Sequence, residues 1–141
     1  MAFKIAFIGA GSVGFTRKLV QDILSVPEFD DLEFSFMDIS KQNLDMVVKI
    51  VERDGARVMI ESTTNQADAV TGARYVLNVA RVGGLEAFAT DIEVPLRYGV
   101  DQCVGDTLAP GGIMYGQRGI PMILNLCKDI RENAEADAML L

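Results

Sequence analysis

The 141-residue sequence contains no histidine, only two cysteines and only four prolines. None of its apolar runs approaches the ~20 residues of a membrane span. Without histidine the chain cannot build a Ser-His-Asp triad or an imidazole metal site. Cys103 and Cys127 lack a C-x-x-C spacing, so they read as reduced, partly buried cysteines of a cytosolic protein. Basic residues are also scarce, 13 Lys and Arg against 20 Asp and Glu, for a net charge of −7. That balance argues against a nucleic-acid partner. The acids are scattered in the manner of a solvated surface, and no basic amphipathic stretch points to a membrane. The apolar start at Phe3 is short and reads as a strand, not a signal peptide. A soluble, cytoplasmic protein is expected, with one domain over residues 1–141. Half the residues are apolar, and a chain of this length buries roughly two thirds of its unfolded surface.

What the sequence does have is a glycine loop. Phe7-Ile8-Gly9-Ala10-Gly11-Ser12-Val13-Gly14-Phe15 places glycines at the three positions of G-x-G-x-x-G, directly after the apolar run from Phe3 to Ile8. Three nearby glycines are a weak signal, but the context strengthens them. The loop follows a strand-like segment and opens a helix-like one, and an acid, Asp38, closes a second strand-like run 24 residues after Gly14. Gly9 would permit the tight turn, Gly11 would let a pyrophosphate reach the backbone, and Gly14 would let the helix pack closely on the strand. The free N–H groups and dipole of that helix, which opens at Ser12, would attract the phosphates. The alternative is a strand–turn–helix that uses glycine for geometry alone.

Along the chain, the spacing predicts strands over Phe3–Ile8, Leu32–Met37, Arg57–Ile60 and Tyr75–Ala80. Between them lie a helix whose buried stripe is Phe15, Leu19, Ile23 and Leu24, ending by Pro27, and a helix capped by Ser40 with Leu44, Val47, Val48 and Val51 inside. A brief helix over Asn65–Thr71 is closed by Gly72. Leu85–Tyr98 reads as helix, with Phe88, Ile92 and Leu96 on one side and Pro95 kinking or ending it. A final helix carries Ile113, Ile120, Ile123, Cys127 and Ile130, with Pro121 at a kink or in the first turn. The alternation predicts an α/β fold, a doubly wound parallel sheet of Rossmann type with strand order 3-2-1-4-5. Ala138–Leu141 is an apolar run of strand type in which the sequence stops. It is expected to start the fifth strand of a longer protein, and its open sheet edge could drive association into a homo-oligomer or simply aggregation.

Asp38 stands where an acid accepts hydrogen bonds from the adenosine ribose, which favours NAD over NADP. It would equally suit the start of the next helix. Lys41 blurs the choice between the two nucleotides, though it also suits the solvated first turn of that helix. Arg81, Gly83 and Gly84 follow the fourth strand at the sheet's carboxyl edge, where ligands bind, although Gly-Gly after a strand is often only a turn. Asp106 and Thr107, before Pro110-Gly111-Gly112, form a loop of binding type or simply cap a helix.

Taken in order, Gly9-Ala10-Gly11-Ser12, Met37-Asp38-Ile39, Val82-Gly83-Gly84, Pro95-Leu96-Arg97-Tyr98-Gly99, Asp106-Thr107-Leu108-Ala109-Pro110-Gly111-Gly112-Ile113 and Arg118-Gly119-Ile120-Pro121 resemble glycoside hydrolase family 4 over essentially the whole chain. The resemblance implies a glycosidase that uses NAD and a divalent metal, commonly manganese, an exception to the two-carboxylate scheme. It implies oxidation of the sugar's C3, loss of the C2 proton to a base, elimination of the aglycone, addition of water and re-reduction. Gly9, Gly11, Gly14 and Asp38 would hold NAD, with Ser12, Arg81 and Gly83 as further cofactor contacts. Asp106 would support the catalytic general-base tyrosine. Phe88 replaces an arginine that binds phosphate in the phospho-glycosidases, so an unphosphorylated α-glycoside is expected, with the α-galactosidase/α-glucosidase branch most similar. Ala109 departs from the glycine of many members. The metal ligands and catalytic tyrosine are expected beyond Leu141, and neither Cys103 nor Cys127 matches the metal cysteine. Rival expectations are an NAD-dependent dehydrogenase of a polyol or hydroxy acid, and a nucleotide-binding module without activity.

Overall fold

The computed structural model describes residues 3–29 and 31–141. Contacts divide the chain into two compact units, Met1–Ala80 with Leu126–Leu141, and Arg81–Asn125.

The first unit is a five-stranded parallel sheet of β1 (Phe3–Ile8), β2 (Leu32–Met37), β3 (Met59–Thr63), β4 (Ala73–Asn78) and β5 (Met139–Leu140). The order is β3-β2-β1-β4-β5, as expected from the sequence. Parallel strands covered on both faces are apolar nearly throughout, and β1 and β2 show why. Ile5, Phe7, Phe34 and Phe36 face α1 (Val13–Leu24) and α2 (Lys41–Arg53), packing with Val20, Leu44, Val47 and Val51. Register pairs Ile5 with Phe34 and Phe7 with Phe36. The Phe7 ring meets those of Phe36 and Phe34 edge-on at 5.4 and 5.8 Å, the geometry that aromatic quadrupoles favour. On the other face, Ala6, Ile8 and Val76 pack with Ala69 and Val70 of α3 (Gln66–Val70), and with Leu126 from the last turns of α5 (Pro110–Asn133).

The second unit contains α4 (Gly84–Arg97), a loop over residues 98–109 and the first part of α5. Its buried positions are Asp91, Pro95, Gln102 and Gly111.

Several expectations about faces and bounds are corrected. β3 lies at Met59–Thr63, not Arg57–Ile60; it is an edge strand, mostly exposed, with too few apolar positions to mark its ends. Phe15 is 61 % exposed, and the buried face of α1 is set by Thr16 and Val20. Thr16 can be buried because its hydroxyl donates to the Ala10 carbonyl at 2.9 Å. In α4, Leu96 is exposed, and Asp91 and Pro95 take the inner face. Pro121 is not in the first turn of its helix, since α5 runs from Pro110 to Asn133 through it. It sits on an exposed side of α5, as does Gln117 four residues earlier, so water can reach the carbonyl that proline's missing N–H leaves unpaired. On α5 Leu126 is buried and Ile130 packs beside it; Ile113 and Ile120 are exposed, and so is Cys127. Both cysteines are free and exposed rather than partly buried.

Candidate functional site

In the first unit the candidate site is the turn leaving β1. The N–H groups of Gly9 and Ala10 both donate to the Met37 carbonyl at 2.8 Å, tying the turn to the end of β2. Gly9 has φ +89°, and a Cβ built on it would lie 2.5 Å from Ala80 Cα. Only glycine fits there, on both counts. Asp38, just past β2, closes the turn from the other side. One carboxylate oxygen accepts from Gly11 N at 2.9 Å and the other from Ser40 N at 2.9 Å. A Cβ on Gly11 would lie 2.6 Å from that first oxygen. A side chain at position 11 would therefore have to displace the Asp38 carboxylate, before any ligand is considered. Ser40 in turn caps α2, accepting from Asn43 N at 3.3 Å.

The start of α1 is left open. Ser12 is its N-cap residue but makes no side-chain cap hydrogen bond, and the first turn carries no acid. No side chain of the helix's own first turn compensates the positive end of its dipole, a setting that suits an anion. Gly14 does not have the packing role expected of it: it is exposed, and a Cβ there would meet nothing within 4 Å. The helix approaches the sheet through Thr16 and Val20, one turn further on.

In the second unit, the loop after α4 and the start of α5 bring Arg81 and Asp106 together, with Nη2 donating to Oδ2 at 3.5 Å. Both side chains are about a third exposed (36 % each). The Arg81 guanidinium lies over the Phe88 ring at 4.6 Å and the Tyr115 ring at 5.1 Å, in cation–π contact with each. Gly83, with φ +83°, is the N-cap residue of α4. Gly112 is fixed by crowding, since a Cβ there would lie 2.5 Å from the Thr107 carbonyl oxygen.

Sequence reasoning missed the group that holds this unit together. Arg118 donates from Nη1 and Nη2 to the two oxygens of Asp91, at 2.8 and 2.5 Å. Asp91 is 2 % exposed. The hydrogen bonds from Arg118 hold its carboxyl below the ordinary value, outweighing the upward push of burial. Arg118 is correspondingly raised by its bonds to Asp91. Gln102 completes the hub, donating to the Asp91 carbonyl at 2.9 Å and accepting from Gly111 N at 3.3 Å. One sequence signal was present: an acid in the middle of a half-apolar helix face calls for a buried partner. Among the described residues, no three His, Cys, Asp or Glu side chains converge as they would to hold a metal ion.

Residues 4–141 match the profile of the Family 4 glycosyl hydrolase. The chain belongs to that family. It is 57 % identical to an α-galactosidase of Rhizobium meliloti (strain 1021) over 99 % of the chain and 29 % of the relative. It is 35 % identical to an α-galactosidase of Bacillus subtilis (strain 168), over 92 % of the chain and 31 % of the relative. The 6-phospho-β-glucosidase of Thermotoga maritima, solved with NAD and glucose-6-phosphate, superposes with a TM-score of 0.88 at 29 % identity. That match covers 98 % of this chain and 33 % of the Thermotoga chain. The same enzyme has been solved with manganese, NAD+ and glucose-6-phosphate. The chain therefore spans about a third of the length of the relatives it matches. Within this family, the five-stranded sheet is the Rossmann-type α/β fold expected from the order of its strands. No helix among the described residues is long and apolar enough to cross a membrane.

Proposed function

We propose that this chain is the NAD-binding part of a family 4 glycosidase that hydrolyses an unphosphorylated α-galactoside. The observation that carries the nucleotide reading is the Gly11–Asp38 clasp beside the uncapped start of α1. The turn offers a carboxylate fixed by two backbone N–H groups, an exposed Gly14 with open space around it, and a helix start without a side-chain cap or an acid in its own first turn. Those are the parts a dinucleotide needs: a surface for the pyrophosphate and an acceptor for ribose hydroxyls. Each Asp38 oxygen keeps a lone pair for a ribose hydroxyl while accepting its backbone bond. Its negative charge disfavours a 2′-phosphate, so NAD is preferred to NADP. Gly9, Gly11, Ser12, Gly14 and Asp38 form the proposed nucleotide loop, with Arg81 and Gly83 as further proposed contacts.

The galactoside reading is supported by the 57 % identical relative and by Phe88 in place of a phosphate-binding arginine. When bound, NAD would supply reversible hydride exchange at the sugar's C3, so that the cofactor is recycled rather than consumed. Asp106 would orient a general-base phenol by accepting its hydrogen bond. Arg81, at its edge, would hold that carboxylate in place. The family's metal has no ligand set among the described residues.

An NAD titration tests this reading. The chain should bind NAD more tightly than NADP, and Asp38→Ala should weaken NAD binding by about tenfold or more, the scale for losing hydrogen bonds to a charged group. Equal binding of NAD by the wild type and Asp38→Ala would defeat the ribose assignment.

A further inference from the structure

The Arg81–Asp106 pair is weakly held by its own contact, at 3.5 Å, so something else must set its geometry. Phe88 and Tyr115, the two rings beneath Arg81, stand on different helices. On α4, Phe88 is three residues before Asp91; on α5, Tyr115 is three residues before Arg118. Residues three apart share a helix face. The forked Arg118–Asp91 bond thus joins the two helices on the same face that presents the two rings. Arg118 also reaches back to the segment that carries Arg81. Its Nε donates to the Val82 carbonyl at 3.5 Å and lies 3.6 Å from where a Cβ on Gly83 would stand.

We propose that Arg118 is a positioning residue: by clasping Asp91 and bearing on Val82, it sets the spacing of Phe88 and Tyr115 and so holds Arg81 over both rings with its edge to Asp106. The inference deepens the glycosidase reading, in which Asp106 must be held for its phenol partner. A lysine at position 118 would still place a cation near Asp91. It cannot take both carboxylate oxygens and the Val82 carbonyl together, because it lacks the planar fork.

The test is made on the 141-residue chain with arginine isotopically labelled for nuclear magnetic resonance. In the wild type, the ring currents of Phe88 and Tyr115 should shift the Arg81 side-chain protons upfield, and cross-relaxation to both rings should be visible. In Arg118→Lys, with the amide spectrum of α4 still that of a helix, both signatures should be lost. If residues 81–125 unfold in that variant, Asp91→Asn, which keeps the side-chain shape and one acceptor, is read in the same way and should weaken both. Arg81 retaining its wild-type shift and its contacts in either folded variant would overturn the proposal, because a clasp that only staples α4 to α5 would lower the melting temperature and leave Arg81 unmoved. No NAD is present in the sample, so this failure is separate from failure of the Asp38 titration.

Discussion

In Met1–Ala80 with Leu126–Leu141 the interior is apolar and stacked: Phe7, Phe34 and Phe36 at its centre are fully buried. In Arg81–Asn125 no valine, leucine, isoleucine, methionine or phenylalanine among the described residues is buried; the inner side chains are Asp91, Pro95 and Gln102, with Asp91 bonded by Arg118 through its carboxylate and by Gln102 through its carbonyl. The apolar side chains of this second unit lie largely outward, Leu85 at 81 %, Leu108 at 99 % and Ile113 at 65 % exposure. One unit is held by area removed from water, which is non-directional and tolerant. The other is held by a directional network that works only when every member is satisfied. The two should therefore break differently.

The largest effect belongs to the sheet. Phe36→Ala removes a ring that packs edge-on with Phe7 and stacks on Phe34, and should cost about 3–5 kcal/mol, the usual range for a buried phenylalanine. Denaturant unfolding followed by far-ultraviolet circular dichroism measures it. A loss well under this range would mean that the interior collapses to fill the gap, and that the contrast between the units is overstated.

Asp91 supplies the matching experiment in the second unit. Its carboxyl is held below the ordinary value by Arg118, so the unfolded chain takes up a proton at higher pH than the folded one. The stabilisation is complete above the ordinary carboxylate range and is lost as pH falls through the lowered value. Amide exchange protection of α4 should therefore hold from neutral pH down to the carboxylate range and fall below it, before that of β1 and β2. Asp91→Asn should weaken α4 at neutral pH and abolish this acid step. An acid step that persists in Asp91→Asn would assign it to other carboxylates.

The same contrast explains what could be read from the residues alone. Apolar runs and their intervening helices fix a parallel sheet, because burial on both faces leaves few other ways to write β1 and β2. The glycine loop was legible because φ +89° and the Ala80 backbone admit only glycine at position 9, and because Gly11 lies against the Asp38 carboxylate. Periodicity was blind to polar inner positions: in α1 Leu19, Ile23 and Leu24 pack on the core as expected, but Thr16 is buried and Phe15 is not, and in α4 the buried positions are Asp91 and Pro95. It failed again along α5, where Ile113 and Ile120 carry the helical spacing yet face outward. Counting apolar positions cannot see a partner such as Arg118, which is 27 residues from Asp91. The pairing of Arg81 with Asp106, 25 residues apart, is invisible to such counting for the same reason.

Gly9→Ala comes next in size. Its backbone conformation disfavours a side chain, which costs about 1–3 kcal/mol, and the contact with Ala80 adds to this. Thermal unfolding should show the loss in the sheet unit while exchange protection of α4 is unchanged. A parallel loss in α4 would mean that the two units unfold together.

Gly14→Ala is expected to have the smallest effect on folding, and it separates two explanations of the glycine motif. With open space around it and a position inside α1, an added methyl group should leave stability unchanged or raise it by up to about 1 kcal/mol, the helix preference of alanine over glycine. If the third glycine serves only the fold, NAD affinity will be unaffected, since nothing in the protein touches that position. If it keeps the mouth of the α1 dipole clear for phosphate, the same variant will be at least as stable and yet bind NAD more weakly. Thermal unfolding and an NAD titration on one variant therefore distinguish a glycine kept for packing from one kept for a ligand. The open surface at Gly14 favours the ligand, because the protein itself makes no demand there.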